Sequence, residues 1–172
     1  MDIREDLIDH VPRLRRYARA LLNNRDLADD LVQDTIERAL ARTKQFVAGT
    51  DLRAWLFTIM HNLFVNQVSK ASARAMHVSV DDDEINEREF AVPGNQSRSL
   101  EVRDLDYALQ RLPAEQREVV LLVGLEEMSY AEVAIALDIP IGTVMSRLSR
   151  GRERLRTLMA GAQPPAKLKV VR

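Results

Sequence analysis

The strongest constraint in this chain lies near its end. Ser129-Tyr130-Ala131-Glu132-Val133-Ala134 is followed by Leu137-Asp138-Ile139-Pro140-Ile141-Gly142-Thr143-Val144 and then by Met145-Ser146-Arg147-Leu148-Ser149-Arg150-Gly151-Arg152. Ser129 and Glu132 have the spacing of a capping box, which starts a helix. A second helix is predicted from about Thr143 to Met159, with Val144, Leu148, Leu155 and Leu158 inward. A helix, a tight turn and a second helix make a helix-turn-helix, whose second helix can enter the major groove of DNA. Gly151 falls on the inward stripe. Glycine there costs about 1 kcal/mol against alanine, so a close approach to a neighbouring helix is expected.

That second helix carries Arg147, Arg150, Arg152, Arg154 and Arg156 against a single acid, Glu153. Arginine forks match phosphates and the O6/N7 edge of guanine. Thr143 and Ser146 sit in the first turns, where a recognition helix reaches base edges. Taken alone, the helix could equally be an amphipathic one with a solvated basic face. The preceding capped helix and turn favour recognition.

The rest of the chain is also helical in pattern. With 172 residues it can form one medium or two small domains. Aromatic residues make up only 5 % of it, so the core must be aliphatic. The net charge of −1 does not suggest a nucleic-acid binder, but its distribution does. There is no cysteine, which excludes disulfides, thiolate metal sites and cysteine nucleophiles. That composition fits a reducing cytoplasm. The N-terminus is charged from Asp2 and lacks an apolar signal core. No run of about 18 apolar residues could span a membrane.

From Ile3 to Leu22, Leu7, Val11, Leu14, Ala18, Leu21 and Leu22 form one helix face, ended by Asn23-Asn24. Asp26 is a possible cap for a second helix, expected to bury Leu27, Leu31, Ile36 and Leu40. Thr50 or Asp51 can cap a third, with the stripe Leu52, Trp55, Leu56, Ile59, Met60 and Leu63 continuing toward Ala75. Periodicity is lost from His77 to Ser99, where Asp81-Asp82-Asp83-Glu84 and Pro93-Gly94-Asn95 mark an interdomain linker or a long solvated loop. A second helical set follows, with Leu105, Ala108, Leu109 and Leu112 on one stripe. The almost wholly apolar Val119 to Val123 helix is expected to be central. The tail from Gly161 is expected to be disordered.

Two further groups are candidates for function. Arg53, Trp55, His61, Asn62, Asn66, Gln67, Lys70 and Arg74 mix amide, basic and aromatic side chains on the third helix. Amides can read bases and cations can hold phosphates. Trp55 also fits a plain core position. On the second helix Asp29, Asp30, Gln33, Asp34, Glu37 and Arg38 form an outer face, either solvated or facing a basic protein partner. Catalysis finds little support: His10, His61 and His77 are scattered, and no Gly-rich phosphate loop occurs.

These constellations, in this order, resemble the bacterial RNA polymerase sigma factors, and within them the small extracytoplasmic-function (ECF) group that keeps only regions 2 and 4. Leu27 to Thr35 resembles region 2.2. Asp51 to Leu56, through Asn62 to Arg74, resembles regions 2.3 and 2.4. Leu112-Pro113-Ala114-Glu115-Gln116-Arg117-Glu118-Val119 resembles the start of region 4.1, and Ser129 to Arg152 resembles region 4.2. Val68-Ser69-Lys70-Ala71-Ser72-Ala73-Arg74 departs from the arginine cluster typical of region 2.4.

The resemblance implies an all-α fold of two small helical domains joined by a flexible linker: residues 1–76 as region 2, 77–99 as the acidic linker, 100–160 as region 4 and 161–172 as the tail. It implies a binding function without cofactor or metal. Core RNA polymerase would be met through the β′ coiled coil, by Asp30, Gln33, Asp34 and Glu37, and through the β flap. The −10 promoter element would be melted and captured by Arg53, Trp55, Asn62, Asn66, Lys70 and Arg74. The −35 duplex would be read through Thr143, Ser146, Arg147, Ser149 and Arg150, with Arg152 on phosphate. The linker would thread the polymerase channel, where its carboxylates could mimic a nucleic-acid backbone. An anti-sigma factor is an expected regulator. Two rival readings are a sigma mimic that sequesters an anti-sigma factor and a helix-turn-helix repressor, the latter leaving the first 75 residues unexplained.

Overall fold

A computed structural model describes residues 2–77 and 96–161, with side chains for 2–71 and 100–161. Among the described residues there are seven α-helices and no strand: α1 (Ile3–Leu22), α2 (Arg25–Ala41), α3 (Leu52–His77), α4 (Gln96–Gln110), α5 (Ala114–Gly124), α6 (Tyr130–Leu137) and α7 (Ile141–Gly161), with a 3₁₀ turn at Thr43–Gln45. The acidic block and most of the expected linker lie outside the described residues, as does the tail beyond Gly161. Helix α4 starts at Gln96, inside the segment expected to be linker.

Local chemistry sets the ends of the first three helices. The Asp2 side chain caps α1, and Asn23 closes it in the left-handed conformation with φ 45°. Asn24, not Asp26, caps α2 by accepting from the Leu27 amide at 3.0 Å. Asp26 lies in the first turn, where its charge suits the helix dipole. Asp51 accepts from the amides of Arg53 and Ala54 at 3.0 and 3.4 Å and so starts α3.

The buried face of α2 differs from the expected one. Ala28, Leu31, Val32, Thr35 and Ala39 are buried, whereas Leu27 and Leu40 are 53 % and 42 % exposed. The small side chains of Ala28 and Ala39 allow close packing, and the Thr35 hydroxyl is satisfied by donating to the Leu31 carbonyl at 2.7 Å. Helix α3 buries Leu56, Phe57, Ile59, Met60 and Phe64, and Phe57 meets Tyr17 of α1 edge-on at 5.0 Å.

In the second unit the α6 capping box is complete: the Glu132 amide donates to Ser129 Oγ and the Ser129 amide to Glu132 Oε2. Asp138 turns the chain with φ 52°, and α7 packs Val144, Leu148 and Gly151 inward. A Cβ on Gly151 would stand 2.7 Å from Val120 Cγ2 of α5, which accounts for the glycine. Leu155 and Leu158 are only partly buried.

The two units pack on each other. Helix α3 meets α6, and α1 meets α4 and α5. Arg117 organises this seam by donating to the carbonyls of Leu109, Gln110 and Leu112 at the end of α4 and of Leu21 at the end of α1, all within 3.0 Å. Helix C-termini leave carbonyls unpaired and carry partial negative charge, so one guanidinium satisfies two helix ends at once.

Candidate functional site

On α7 the helical repeat puts Thr143, Ser146, Arg147 and Arg150 on one face. Ser146 and Arg150 are exposed, and Thr143 is partly so. Arg147 is the exception to an open face, since its Nη2 lies 3.6 Å from Glu115 of α5. Ser149 and Arg152 are exposed but lie off that face. The turn holds the start of α7 in place, with the Thr143 amide donating to the Pro140 carbonyl at 3.0 Å.

On α3 the sequence candidates separate. Trp55, Asn62 and Asn66 recur at steps of seven and four, so they share one side, and Lys70 continues it. Asn62, Asn66 and Lys70 are exposed, whereas Trp55 is partly buried against Phe46 with ring centroids 5.3 Å apart. Arg53 lies on the opposite side. Its Nη1 donates to the Glu126 carbonyl at 3.1 Å, and its Nη2 is 3.5 Å from Glu132 and 3.9 Å from Asp51. Arg74 is in α3, but its side chain lies outside those described. His61 does not join the amide set: it faces Glu118 of α5, with Nδ1 and Oε1 2.7 Å apart.

Asp30, Gln33, Asp34 and Glu37 form an exposed face on α2, where Gln33 Nε2 donates to Glu37 at 3.3 Å. Asp29 does not belong with them, since Arg15 and Arg19 hold it at 3.9 and 3.4 Å. A groove of about 520 Å³ runs between α2 and α3, lined by Asp34, Glu37, Arg38, Leu63, Asn66 and Lys70 among others. It brings the acidic face and the amide face to one edge of the first unit.

Sequence reasoning missed the residues that hold the units together. Glu118 and Glu126 are 4 % and 2 % exposed. Arg16 donates to Glu126 Oε1 at 3.2 Å, and Arg13 approaches Oε2 at 3.4 Å as an ion pair without hydrogen-bond geometry. Burial, then the nearby Glu118 and Glu126 carboxylates, push the Tyr17 hydroxyl well above its usual pKa. These partners are separated by tens of residues in the chain, so no local pattern announces them.

Among the described residues no cluster of acids and histidines could hold a metal ion, and no helix is long and apolar enough to cross a membrane. The described side chains present three surfaces: a basic helix face, an amide and aromatic face, and an acidic face.

Comparison with known proteins assigns both units. Residues 7–61 match the family described as the Sigma2 domain of PhyR, and residues 103–155 match sigma-70, region 4. The chain is 40 % identical over 157 residues to the ECF RNA polymerase sigma factor EcfG of Rhodopseudomonas palustris, covering 91 % of this chain and 84 % of that one. Among solved structures it resembles the sigma factor RpoE of Bartonella quintana, crystallised with the anti-sigma factor NepR, at a TM-score of 0.78 and 36 % identity. That match covers 94 % of this chain and 99 % of that one. CnrH in complex with the cytosolic domain of CnrY is similar at a TM-score of 0.66 and 26 % identity, over 92 % and 88 % of the two chains. With region 2 and region 4 matched in order and this degree of identity across both, the chain belongs to the ECF RNA polymerase sigma factors.

Proposed function

We propose that this chain binds core RNA polymerase in the cytoplasm and directs it to promoters by reading a −35 duplex and capturing a melted −10 element. The function is binding, not catalysis. The observation that carries the reading is that one chain exposes both surfaces such a protein needs: the Asp30, Gln33, Asp34 and Glu37 face on α2 and the Ser146 and Arg150 face on α7. Their opposite charge explains a near-neutral total, with acids for the polymerase and arginines for DNA. Asn62, Asn66 and Lys70 would take unpaired bases and backbone, with Trp55 in support. Arg147 would reach DNA after releasing Glu115. A further partner is an anti-sigma factor, because the similar proteins RpoE and CnrH were solved with NepR and with CnrY.

The test is size-exclusion chromatography of the purified chain with bacterial core polymerase. Stoichiometric co-elution, lost in Asp30→Arg/Asp34→Arg, is the expected result. A folded chain that never co-elutes with core polymerase removes the proposal.

A further inference from the structure

The first turns of α7 show solvent an apolar surface as well as hydroxyls and arginines. Ile141 and Met145, one helical turn apart, are 49 % and 51 % exposed, and neither belongs to the core. Gly142 stands exposed between them. A Cβ there would meet nothing within 4 Å, whereas one on Gly151 would meet Val120. Packing therefore explains the glycine at 151 and does not explain the one at 142. Single exposed apolar residues are common on protein surfaces. Two of them beside a bare glycine, at the start of a recognition helix, make a shaped patch where base edges are reached.

The polar side chains next to this patch are partly committed. Ser146 Oγ donates to the Thr143 carbonyl at 3.1 Å, so toward a base it is left as an acceptor. Arg147 is held by Glu115 at 3.6 Å. Hydrogen bonds distinguish donors from acceptors, but thymine also carries a 5-methyl group, an apolar mark in the major groove. Methionine suits such a contact, being unbranched and adaptable in shape. The surroundings favour DNA over an apolar protein partner. Arg152 follows Met145 by two turns on the same side, Arg150 follows Ser146 by one, and both are exposed. An apolar patch set among cations matches a groove lined by bases and walled by phosphates.

We propose that Met145 and Ile141 read the methyl group of a thymine in the −35 duplex, and that Gly142 lets the start of α7 come close enough for them to do so. This rests on the promoter-reading function proposed above and names a specificity contact within it. Glycine is the residue that permits close approach of backbone to a ligand. Ser146 and Arg150 would sense the hydrogen-bonding pattern of the bases, while the apolar pair fixes thymine at one position. Covering one methyl group is worth about fourfold in affinity.

The test uses the full chain in complex with bacterial core polymerase. A −35 element is selected from random duplex, and each of its thymines is replaced in turn by deoxyuridine, which lacks only the methyl group. One such replacement is expected to weaken binding about fourfold. In Met145→Ala the penalty should disappear, with thymine and uracil bound alike, and Ile141→Ala should reduce it. Both residues are exposed, so neither change threatens the fold. Gly142→Ala should leave the thermal midpoint at or above that of wild type, since its Cβ meets nothing, and yet weaken duplex binding. Wild type that binds every uracil duplex as tightly as its thymine parent overturns the proposal and leaves the patch to a protein partner. A penalty that persists unchanged in both Met145→Ala and Ile141→Ala overturns it too. A chain that never co-elutes with core polymerase removes the proposed function instead. The chain alone is then offered the random duplexes, and failure to bind or to distinguish thymine from uracil there overturns the methyl contact as well.

Discussion

His61 of α3 and Glu118 of α5 meet across the seam with Nδ1 2.7 Å from Oε1, at 17 % and 5 % side-chain exposure. The pair joins the two units through the middle of the shared core. Replacing His61 by leucine leaves a buried carboxylate without that partner. Such a loss is expected to cost about 2–4 kcal/mol. His61→Gln keeps a donor and should cost less. Urea denaturation of the two variants checks the order, and equal midpoints for His61→Leu and wild type would show the pair to be inert.

Arg117 makes four hydrogen bonds to the carbonyl ends of α1 and α4. Lysine keeps the charge but has three donors on one nitrogen in place of a planar fork, so at least one of those carbonyls loses its partner. Arg117→Lys is expected to lower stability by about 2–3 kcal/mol, read as a shift in the thermal midpoint.

The difference between what the sequence revealed and what it hid follows from range. Ser129 with Glu132 and Gly151 on the inward stripe are local signals that stand in the structure as read, and of the two caps open for α3, Thr50 and Asp51, it is Asp51 that accepts from the first amides. The face of α2 is not legible in the sequence, because Leu27 and Leu40 outweigh Ala28 and Ala39 in hydrophobicity although helix packing chooses the small residues. His61 looked like part of an amide and basic set because it adjoins Asn62, yet one helical step of about 100° turns it to the other unit. Nothing near Arg53 in the sequence separates it from Asn62 on the same helix. Glu126 and Glu132, which hold it, are more than 70 residues away.

Gly151→Ala sets two effects against each other. Helix propensity favours alanine by about 1 kcal/mol. The new Cβ would stand 2.7 Å from a methyl of Val120, a stiff β-branched side chain, and 3.4 Å from Gln116 Cβ. Overpacking of this kind costs about 1–3 kcal/mol, so the variant should be less stable than wild type. Adding Val120→Ala should restore part of the loss. A stabilised Gly151→Ala single variant would mean that α5 and α7 are further apart.

Tyr17 gives a pH signature in alkali. Its pKa is raised in the folded chain by burial, then by Glu118 and Glu126, while in the unfolded chain it stays near 10.0. The stability it contributes is therefore complete below pH 10 and is lost as pH climbs through the higher folded value, because the unfolded chain gives up the proton first. Absorbance titration should show one of the three tyrosines ionising only as the protein unfolds. In Tyr17→Phe that late step should vanish.

Arg150 and Arg152 should differ in how they serve DNA. Arg150 shares the face of Thr143 and Ser146, the part of a recognition helix that reaches base edges, while Arg152 is turned toward one side. With polymerase holoenzyme and a promoter duplex selected from random sequence, Arg150→Ala should cost about 1–3 kcal/mol and relax preference at particular −35 positions. Arg152→Ala should weaken all duplexes alike and reduce the salt slope by about 1, as expected for one lost phosphate contact. Glu115→Gln frees Arg147 from its 3.6 Å ion pair and should strengthen binding most at low salt, where surface charges are least screened. Identical sequence profiles for wild type and Arg150→Ala would mean that this face of α7 holds the backbone and reads no base.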